Sequence, residues 1–217
     1  MLALASGTAR QPNDPGYEEV SGFDTDTTGI TPTGFPKDSP ACSGVETAND
    51  TNTFNPAALE VKIRVPTNAK SLKFKFDFYT SEFPSFVCSQ YNDFFVALQD
   101  PPSPNAQSGN VSFDSQGNPV SVNNGYLEVC SPQEAGGKQF PCKLGTSELQ
   151  GTGFDESAAT GWLETVSPVK PGSIVTLRFA VWDMGDAVLD STVLIDDFQF
   201  SAEPATSSVT KPVPNPK

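Results

Sequence analysis

Three aspartates stand close together near the C-terminal end of the chain, where their carboxylates could bind a cation. Asp183, Asp186 and Asp190 lie within eight residues. At a separation of ~6 Å and an effective dielectric constant of about 20, each pair of like charges would repel by roughly 3 kcal/mol. No Lys or Arg lies between Arg178 and Lys211 to offset that repulsion. Calcium accepts about six to eight oxygen ligands in flexible geometry, so this loop predicts a calcium site.

Further oxygen-bearing side chains follow the Phe-rich segment SLKFKFDFYT. Glu82 lies just after this segment, and Asn92 and Asp93 begin the next apolar segment, NDFFVALQ. If these two segments are strands that neighbour the strand ending at Asp183, their ends meet at one edge of a sheet. The predicted ligands of a structural calcium ion are therefore Asp183, Asp186, Asp190, Glu82, Asn92 and Asp93.

A simpler interpretation of both loops stays open, in which they are solvated turns. Asp, Asn and Gly favour turns for backbone reasons alone, and the spacing D-x-x-D-x-x-x-D is not that of an EF-hand. Asp196 and Asp197 follow within the next apolar run. Consecutive side chains of a strand point to opposite faces, so we expect at most one of these two to join the site.

The composition excludes several classes of function. The formal net charge is −13, and the sequence contains no histidine. An acidic chain is repelled by nucleic acid and by anionic membrane surfaces, so we expect neither as a partner. No segment is long enough for direct insertion into a membrane. Ser-His-Asp and Cys-His catalysis are unavailable without histidine, whereas chemistry by paired carboxylates is not excluded.

Four cysteines indicate disulfides and export. Cys42, Cys88, Cys130 and Cys142 include no C-x-x-C pair, and an even number of cysteines in a Gly- and Pro-rich acidic chain favours disulfides. Three pairings are possible. We favour Cys130–Cys142, which closes a short loop, together with Cys42–Cys88, which ties the N-terminal arm to the sheet. We therefore expect an extracellular or cell-surface protein whose signal peptide and anchor lie outside this chain.

Alternating apolar residues predict an all-β fold. The clearest alternation is in LEVKIRVP, SLKFKFDFYT, NDFFVALQ, SIVTLRFAVWD and STVLIDDFQF. Many short strands separated by turns predict a jelly-roll-like antiparallel β-sandwich. We predict a long irregular N-terminal arm over residues 1–56, packed on the sandwich, then the sandwich itself over 57–200. A Pro/Ser/Thr-rich C-terminal linker is predicted over 201–217.

Several motifs resemble those of a known family. The segments Ser81–Pro84 (SEFP), Asn92–Phe95 (NDFF) and Ala180–Phe198, which contains WDMGD, LDS and LIDDF, resemble the bacterial choice-of-anchor L domains. The myxobacterial-type surface versions are the most similar in character. The resemblance extends over about residues 58–200. It implies a β-sandwich at the cell surface, ahead of a variable C-terminal anchor, and it implies no particular reaction.

Three functions are compatible with these observations. We favour an exported, non-enzymatic cell-surface binding or adhesion module that is stabilised by calcium and binds a surface polysaccharide or a protein. The first alternative is a structural subunit of a surface layer or filament, which would assemble with itself. The second is a carbohydrate-active enzyme that uses paired carboxylates such as Glu82 and Asp93. Few aromatic platforms for sugars are available, since Trp182 lies on a predicted strand and is expected in the core.

Overall fold

The fold is that of a computed structural model, which describes residues 1–10, 13–17, 27–45 and 52–214. The regular elements of this part of the chain are all β-strands, which confirms the all-β prediction. Over the same residues, no helix is long and apolar enough to cross a membrane. Parts of the predicted N-terminal arm and the last three residues of the predicted linker lie outside the described residues.

The described residues form twelve strands. The strands are β1 (Leu2–Ala5), β2 (Thr53–Arg64), β3 (Ser71–Thr80), β4 (Phe94–Asp100), β5 (Val120–Ser121), β6 (Gln133–Ala135), β7 (Lys138–Phe140), β8 (Ala158–Ala159), β9 (Leu163–Pro168), β10 (Ile174–Met184), β11 (Ser191–Ser201) and β12 (Val209–Pro212).

Two antiparallel sheets form a sandwich. The larger sheet has the order β1-β11-β3-β9-β12, with β8 also paired to β3, and the smaller sheet has the order β2-β10-β4-β5. β6 and β7 form a separate hairpin. The prediction of a β-sandwich is confirmed, whereas jelly-roll connectivity stays a prediction.

Phenylalanines fill the space between the two sheets. Phe74 and Phe76 on β3 are fully buried and face the smaller sheet. Phe74 lies against Phe179 and Phe76 against Phe95, with ring centroids 5.1 and 5.0 Å apart. Burial of each such side chain stabilises the fold by roughly 1.5–3 kcal/mol. The period-two pattern of SLKFKFDFYT therefore reflects one strand face in the core.

Two disulfides hold the long loops against the sandwich. Cys42 pairs with Cys88, and Cys130 pairs with Cys142, which is the connectivity favoured from the sequence. The first bond ties the N-terminal region to the loop between β3 and β4. The second closes the chain around the β6–β7 hairpin.

The N-terminal region contains a strand where we predict an irregular arm. Leu2–Ala5 forms β1 at one edge of the larger sheet, where it pairs with β11. β2 also begins earlier than predicted, at Thr53. Four residues are too few for alternation to be recognised in a sequence, and an edge strand is positioned by the backbone of its partner. The arm is therefore not irregular throughout.

The C-terminal region contains a strand where we predict a linker. β12 pairs with β9 at the other edge of the larger sheet. Buried hydroxyl groups hold it there: the side chain of Ser208 lies 2.8 Å from that of Ser167, and the side chain of Thr210 lies 2.9 Å from that of Thr165. Ser and Thr, which we take as a sign of a linker, here provide the contacts that dock the strand.

Candidate functional site

The strand pairing brings the two acidic loops to one end of the sandwich. Thr80, the last residue of β3, lies opposite Ser191, the first residue of β11. Phe94, the first residue of β4, lies opposite Trp182 near the end of β10. The loop from β3 to β4 and the loop from β10 to β11 therefore both cross between the sheets at this end. This is the neighbouring arrangement of strands that the sequence interpretation requires.

Five acidic side chains come together where these loops cross. We call this group the acid cluster; its members are Glu82, Asp93, Asp183, Asp186 and Asp190. Four of them are exposed by at most 3%, and Asp186 is half-buried at the surface. Asn92, the remaining predicted ligand, is completely buried next to Asp93 in the chain. The predicted residues are thus placed at one end of the fold, although their placement alone does not establish a ligand.

Asp93 is held by donors from two other strands. Its Oδ1 accepts a hydrogen bond from the backbone N–H of Met184 at 3.2 Å, and its Oδ2 accepts one from the Ser191 hydroxyl at 2.7 Å. Met184 ends β10 and Ser191 begins β11. A single carboxyl group before β4 therefore ties together the ends of the strands that carry the site.

Asp183 is held by an asparagine at a β-bulge. The register between β2 and β10 shifts next to Asp183, where Asn55 of β2 has a φ of 48°. Asn tolerates this left-handed conformation better than most residues, and its Nδ2 donates a hydrogen bond to Asp183 Oδ2 at 3.3 Å. Bulges often re-aim a side chain beside a functional site. Asn55 was missed from the sequence, because it precedes the alternating part of its strand.

Several buried polar atoms at this end have no hydrogen-bond partner among the described residues. They are Glu82 Oε2, Asp183 Oδ1 and both amide atoms of Asn92. Leaving a buried polar group unpaired costs about 1–3 kcal/mol. Native structures contain few such groups, so a concentration of them calls for an explanation. A bound ion would be one.

Burial and nearby negative charges raise the pKa values of three members of the cluster, Glu82, Asp93 and Asp183. The pKa of Glu82 is raised to about 8, first by burial and then by the charges of Asp186 and Asp183. Burial followed by Asp93 raises the pKa of Asp183, and burial followed by Glu82 raises that of Asp93. At neutral pH these three buried carboxyl groups therefore favour their protonated forms unless a cation replaces the protons.

In the described parts of the chain, no basic side chain forms an ion pair with Glu82, Asp93 or Asp183 of the cluster. The ion pairs found there use Asp196, Glu164, Asp197 and Glu128. Over the same residues, no three acidic side chains are already arranged as a set of metal ligands. The carboxylates thus interact electrostatically, but a cation would require them to turn toward a common point.

Asp196 and Asp197 lie at the surface and do not join the cluster. A bulge in β11 gives Asp197 a φ of 54° and interrupts the alternation that we assume from the sequence. Asp196 lies 3.5 Å from the N-terminal amine, and Asp197 lies 2.7 Å from the Lys75 amine. Asp197 therefore has a basic side-chain partner, and both carboxylates lie apart from the cluster.

The fold and the site define a disulfide-linked β-sandwich with a buried acid cluster at one end. The family model of the choice-of-anchor L domain matches residues 3–201 of the 217-residue chain. The chain therefore belongs to the choice-of-anchor L domain family, which confirms the resemblance seen in its motifs and indicates a surface-associated protein. Comparisons with curated proteins and with solved structures found no match.

Proposed function

We propose that this protein is an exported, non-enzymatic binding or adhesion module of the cell surface, stabilised by calcium in the acid cluster. The observation that carries the proposal is a group of five acids, four of them buried, in which Glu82, Asp93 and Asp183 have no ion-pair partner among the described residues. Family membership supports the surface role. The two disulfides support an oxidising location.

A cation accounts for the burial of so many acids. Placing an ionised carboxylate in a protein interior costs several kcal/mol unless a partner compensates its charge. Protonation is one remedy, and the raised pKa of Glu82 reflects it. A divalent cation is the other, and it would also satisfy the unpartnered Glu82 Oε2 and Asp183 Oδ1. The ion supports the fold because it relieves repulsion between strand ends.

Calcium fits the available donors better than a transition metal does. All of the candidate donors are oxygens, from the five carboxylates and the side-chain amide of Asn92. The chain has no histidine, and its cysteines are all in disulfides. Hard cations select such oxygen ligands. The flexible coordination of calcium also suits a site whose ligands must first turn inward.

The burial of the acids favours a structural ion over catalysis. Glu82 and Asp93 are exposed by only 2% and 0%, so a polysaccharide could not reach them as a pair of catalytic acids. Trp182 stacks on Phe94 in the interior, with ring centroids 5.5 Å apart, and offers no platform for a sugar. A surface polysaccharide, a protein or a second copy of the chain would therefore bind elsewhere on the module.

Thermal unfolding in calcium and in EDTA, with the disulfides intact, tests the ion. At a calcium concentration about 100-fold above Kd, binding stabilises the folded state by ~2.7 kcal/mol. For a domain of this size we expect Tm to rise by roughly 5–10 °C. The substitution Glu82→Gln should abolish most of this shift. Glu203→Gln, the same change at an exposed position, is the control and should retain it.

The EDTA measurements also test whether the change in Tm caused by Glu82→Gln has opposite signs with and without calcium. Glu82→Gln removes a buried acid that repels Asp183 and Asp186, so in EDTA this variant should melt at or above the temperature of the wild type. In calcium it should melt below the wild type. An unchanged wild-type Tm in calcium and in EDTA would show that the cluster is a protonated network with no structural ion.

A further inference from the structure

The segment after the N-terminal strand reaches the acid cluster. β1 is an edge strand of four residues, and only one side of its backbone is paired within the sheet, to β11. Leu2 and Leu4 are partly buried against the core. So short an edge strand, paired on one side only, gains little from the ladder itself and opens readily. The contacts made just beyond Ala5 therefore have a large influence on whether β1 stays docked.

Ser6 and Ser191 connect β1 to the cluster through a chain of hydrogen bonds. The backbone N–H of Ser6 donates to the carbonyl of Ser191 at 3.0 Å, and the backbone N–H of Ser191 donates to the Ser6 hydroxyl oxygen at 2.9 Å. Ser191 then donates its own hydroxyl proton to Asp93 Oδ2 at 2.7 Å. Movement of Asp93 is therefore transmitted directly to the residue that holds the end of β1.

Gly7 makes a second contact with the cluster. A methyl group at this position would overlap the carboxylate of Asp190, so the backbone packs directly against that side chain. Gly7 is not among the residues with a left-handed backbone. The glycine is thus required by close approach and not by its conformation. Two independent contacts, at Ser6 and at Gly7, place the N-terminal segment on the same acids.

We propose that a cation in the acid cluster latches β1 onto the larger sheet, so that the cluster and the strand open and close together. This inference rests on the proposed function, because it needs an ion at that site. Removal of the ion frees the carboxylates of Asp93 and Asp190 from a common ligand, so that both side chains can turn away. These are the side chains that contact Ser191 and Gly7. β1 then undocks and exposes the edge of β11, where the backbone groups of a second strand could pair.

The coupling must operate in both directions. An ion that favours the docked strand is itself bound more tightly when the strand is docked, by the same factor. Couplings between sites are commonly about 5–150-fold. Gly7→Ala should therefore weaken calcium binding by about ten-fold, although Gly7 contributes no side-chain ligand. Gly7 has no coordinating group, so a change in affinity arises through the contact with Asp190 or through the docking of β1, and hydrogen exchange of β1 in the same variant separates the two.

Hydrogen exchange of the full chain in calcium chloride and in EDTA tests the latch. We expect the backbone amides of β1 and of Ser191 to exchange about ten-fold faster in EDTA. The amides of β12, at the opposite edge of the same sheet, should exchange at the same rate in both conditions. This internal control separates opening of β1 from a general loosening of the sandwich.

A pair of serine variants provides the matched comparison. Ser6→Ala removes the acceptor of the Ser191 N–H, so β1 should exchange rapidly even in calcium. Ser208→Ala removes a buried serine at the opposite edge, where its hydroxyl lies 2.7 Å from that of Ser103. It should loosen β12 equally in calcium and in EDTA. An equal response of β1 to calcium in Ser6→Ala and in the wild type would overturn the role of Ser6.

Calorimetric titration with calcium chloride distinguishes failure of the latch from failure of the site. If calcium produces neither binding heat nor a shift in Tm, the proposed calcium site is wrong and the latch falls with it. If calcium binds but leaves the exchange of β1 unchanged, and Gly7→Ala binds calcium as the wild type does, only the latch is wrong. Slower exchange of the β1 amides in calcium, together with weaker calcium binding by Gly7→Ala, supports both the calcium site and the latch.

Discussion

Ser191 donates its hydroxyl proton to Asp93 Oδ2 at 2.7 Å, and its backbone N–H donates to the Ser6 hydroxyl at 2.9 Å. Asp93 directly precedes β4 of the smaller sheet, whereas Ser6 directly follows β1 of the larger sheet. One serine at the start of β11 thus joins the ends of three strands from both layers. The acid cluster is therefore positioned where a change in charge affects the docking of the sheets as well as the loops.

Stabilisation by calcium should increase with pH. Burial, followed by Asp186 and Asp183, raises the pKa of Glu82 to about 8. Between the ordinary carboxyl pKa of about 4 and this value, the folded protein holds a proton that the unfolded chain has lost. In EDTA, stability should therefore fall as the pH rises through this range. Calcium must displace the proton, so its effect on Tm should be small near about pH 5 and large near about pH 8.

Melting curves at the two pH values and calorimetry check this linkage. Titrations in two buffers of different ionisation enthalpy should give different heats, because calcium binding releases protons to the buffer. Glu82→Gln should release fewer protons than the wild type, and Glu203→Gln should release as many. Equal stabilisation at both pH values without proton release would contradict the assignment of the buried carboxyl groups as ligands.

Asp77 carries a separate buried charge on the outer side of β3. Its Oδ1 accepts a hydrogen bond from the Thr160 hydroxyl at 3.2 Å, and its Oδ2 has no partner among the described residues. Burial, followed by the charge of Glu148, raises the pKa of Asp77 to about 7. Its contribution to stability is therefore fully present below the ordinary carboxyl pKa and is lost as the pH rises through about 7.

Asp77→Asn should remove the loss of folding stability that occurs as the pH rises. We expect the variant to be more stable than the wild type by about 1–2 kcal/mol near pH 8, with a smaller difference near pH 5. Urea unfolding at both pH values measures it, and Asp100→Asn, at an exposed position, is the control. If Asp77→Asn is destabilised equally at the two pH values, the hydrogen bond with Thr160 outweighs the buried charge.

The long central strands could be predicted because their alternation extends over ten or more residues. SLKFKFDFYT is predicted as a strand and forms Ser71–Thr80, and the alternating segments near the C-terminal end form β10 and β11. β1 and β12 have only four residues each. Their conformation depends on the backbone groups of β11 and β9, so local sequence contains too little information to predict them.

The acid cluster could be predicted as a set of residues but not as a geometry. Asp, Glu and Asn at strand ends indicate oxygen donors, and the pairing of β4 with β10 places them at one end of the sandwich. Asn55 takes part through a bulge, and Ser6 through an edge strand. Neither feature has a signature in the chain, because both arise only after the strands have paired.

The buried hydroxyl groups beneath β12 should make the C-terminal strand a measurable part of the fold. The Thr165 hydroxyl lies 2.9 Å from that of Thr210 and 2.9 Å from that of Ser112. Thr210→Val keeps the shape of the side chain but removes one of these hydroxyls, so we expect a loss of about 1 kcal/mol. Thr206→Val, at an exposed position, should change stability by less than about 0.5 kcal/mol. Urea midpoints at constant m-value compare the two. If the residues after Ser201 were only a linker, both variants would unfold like the wild type, and that result would contradict a docked β12.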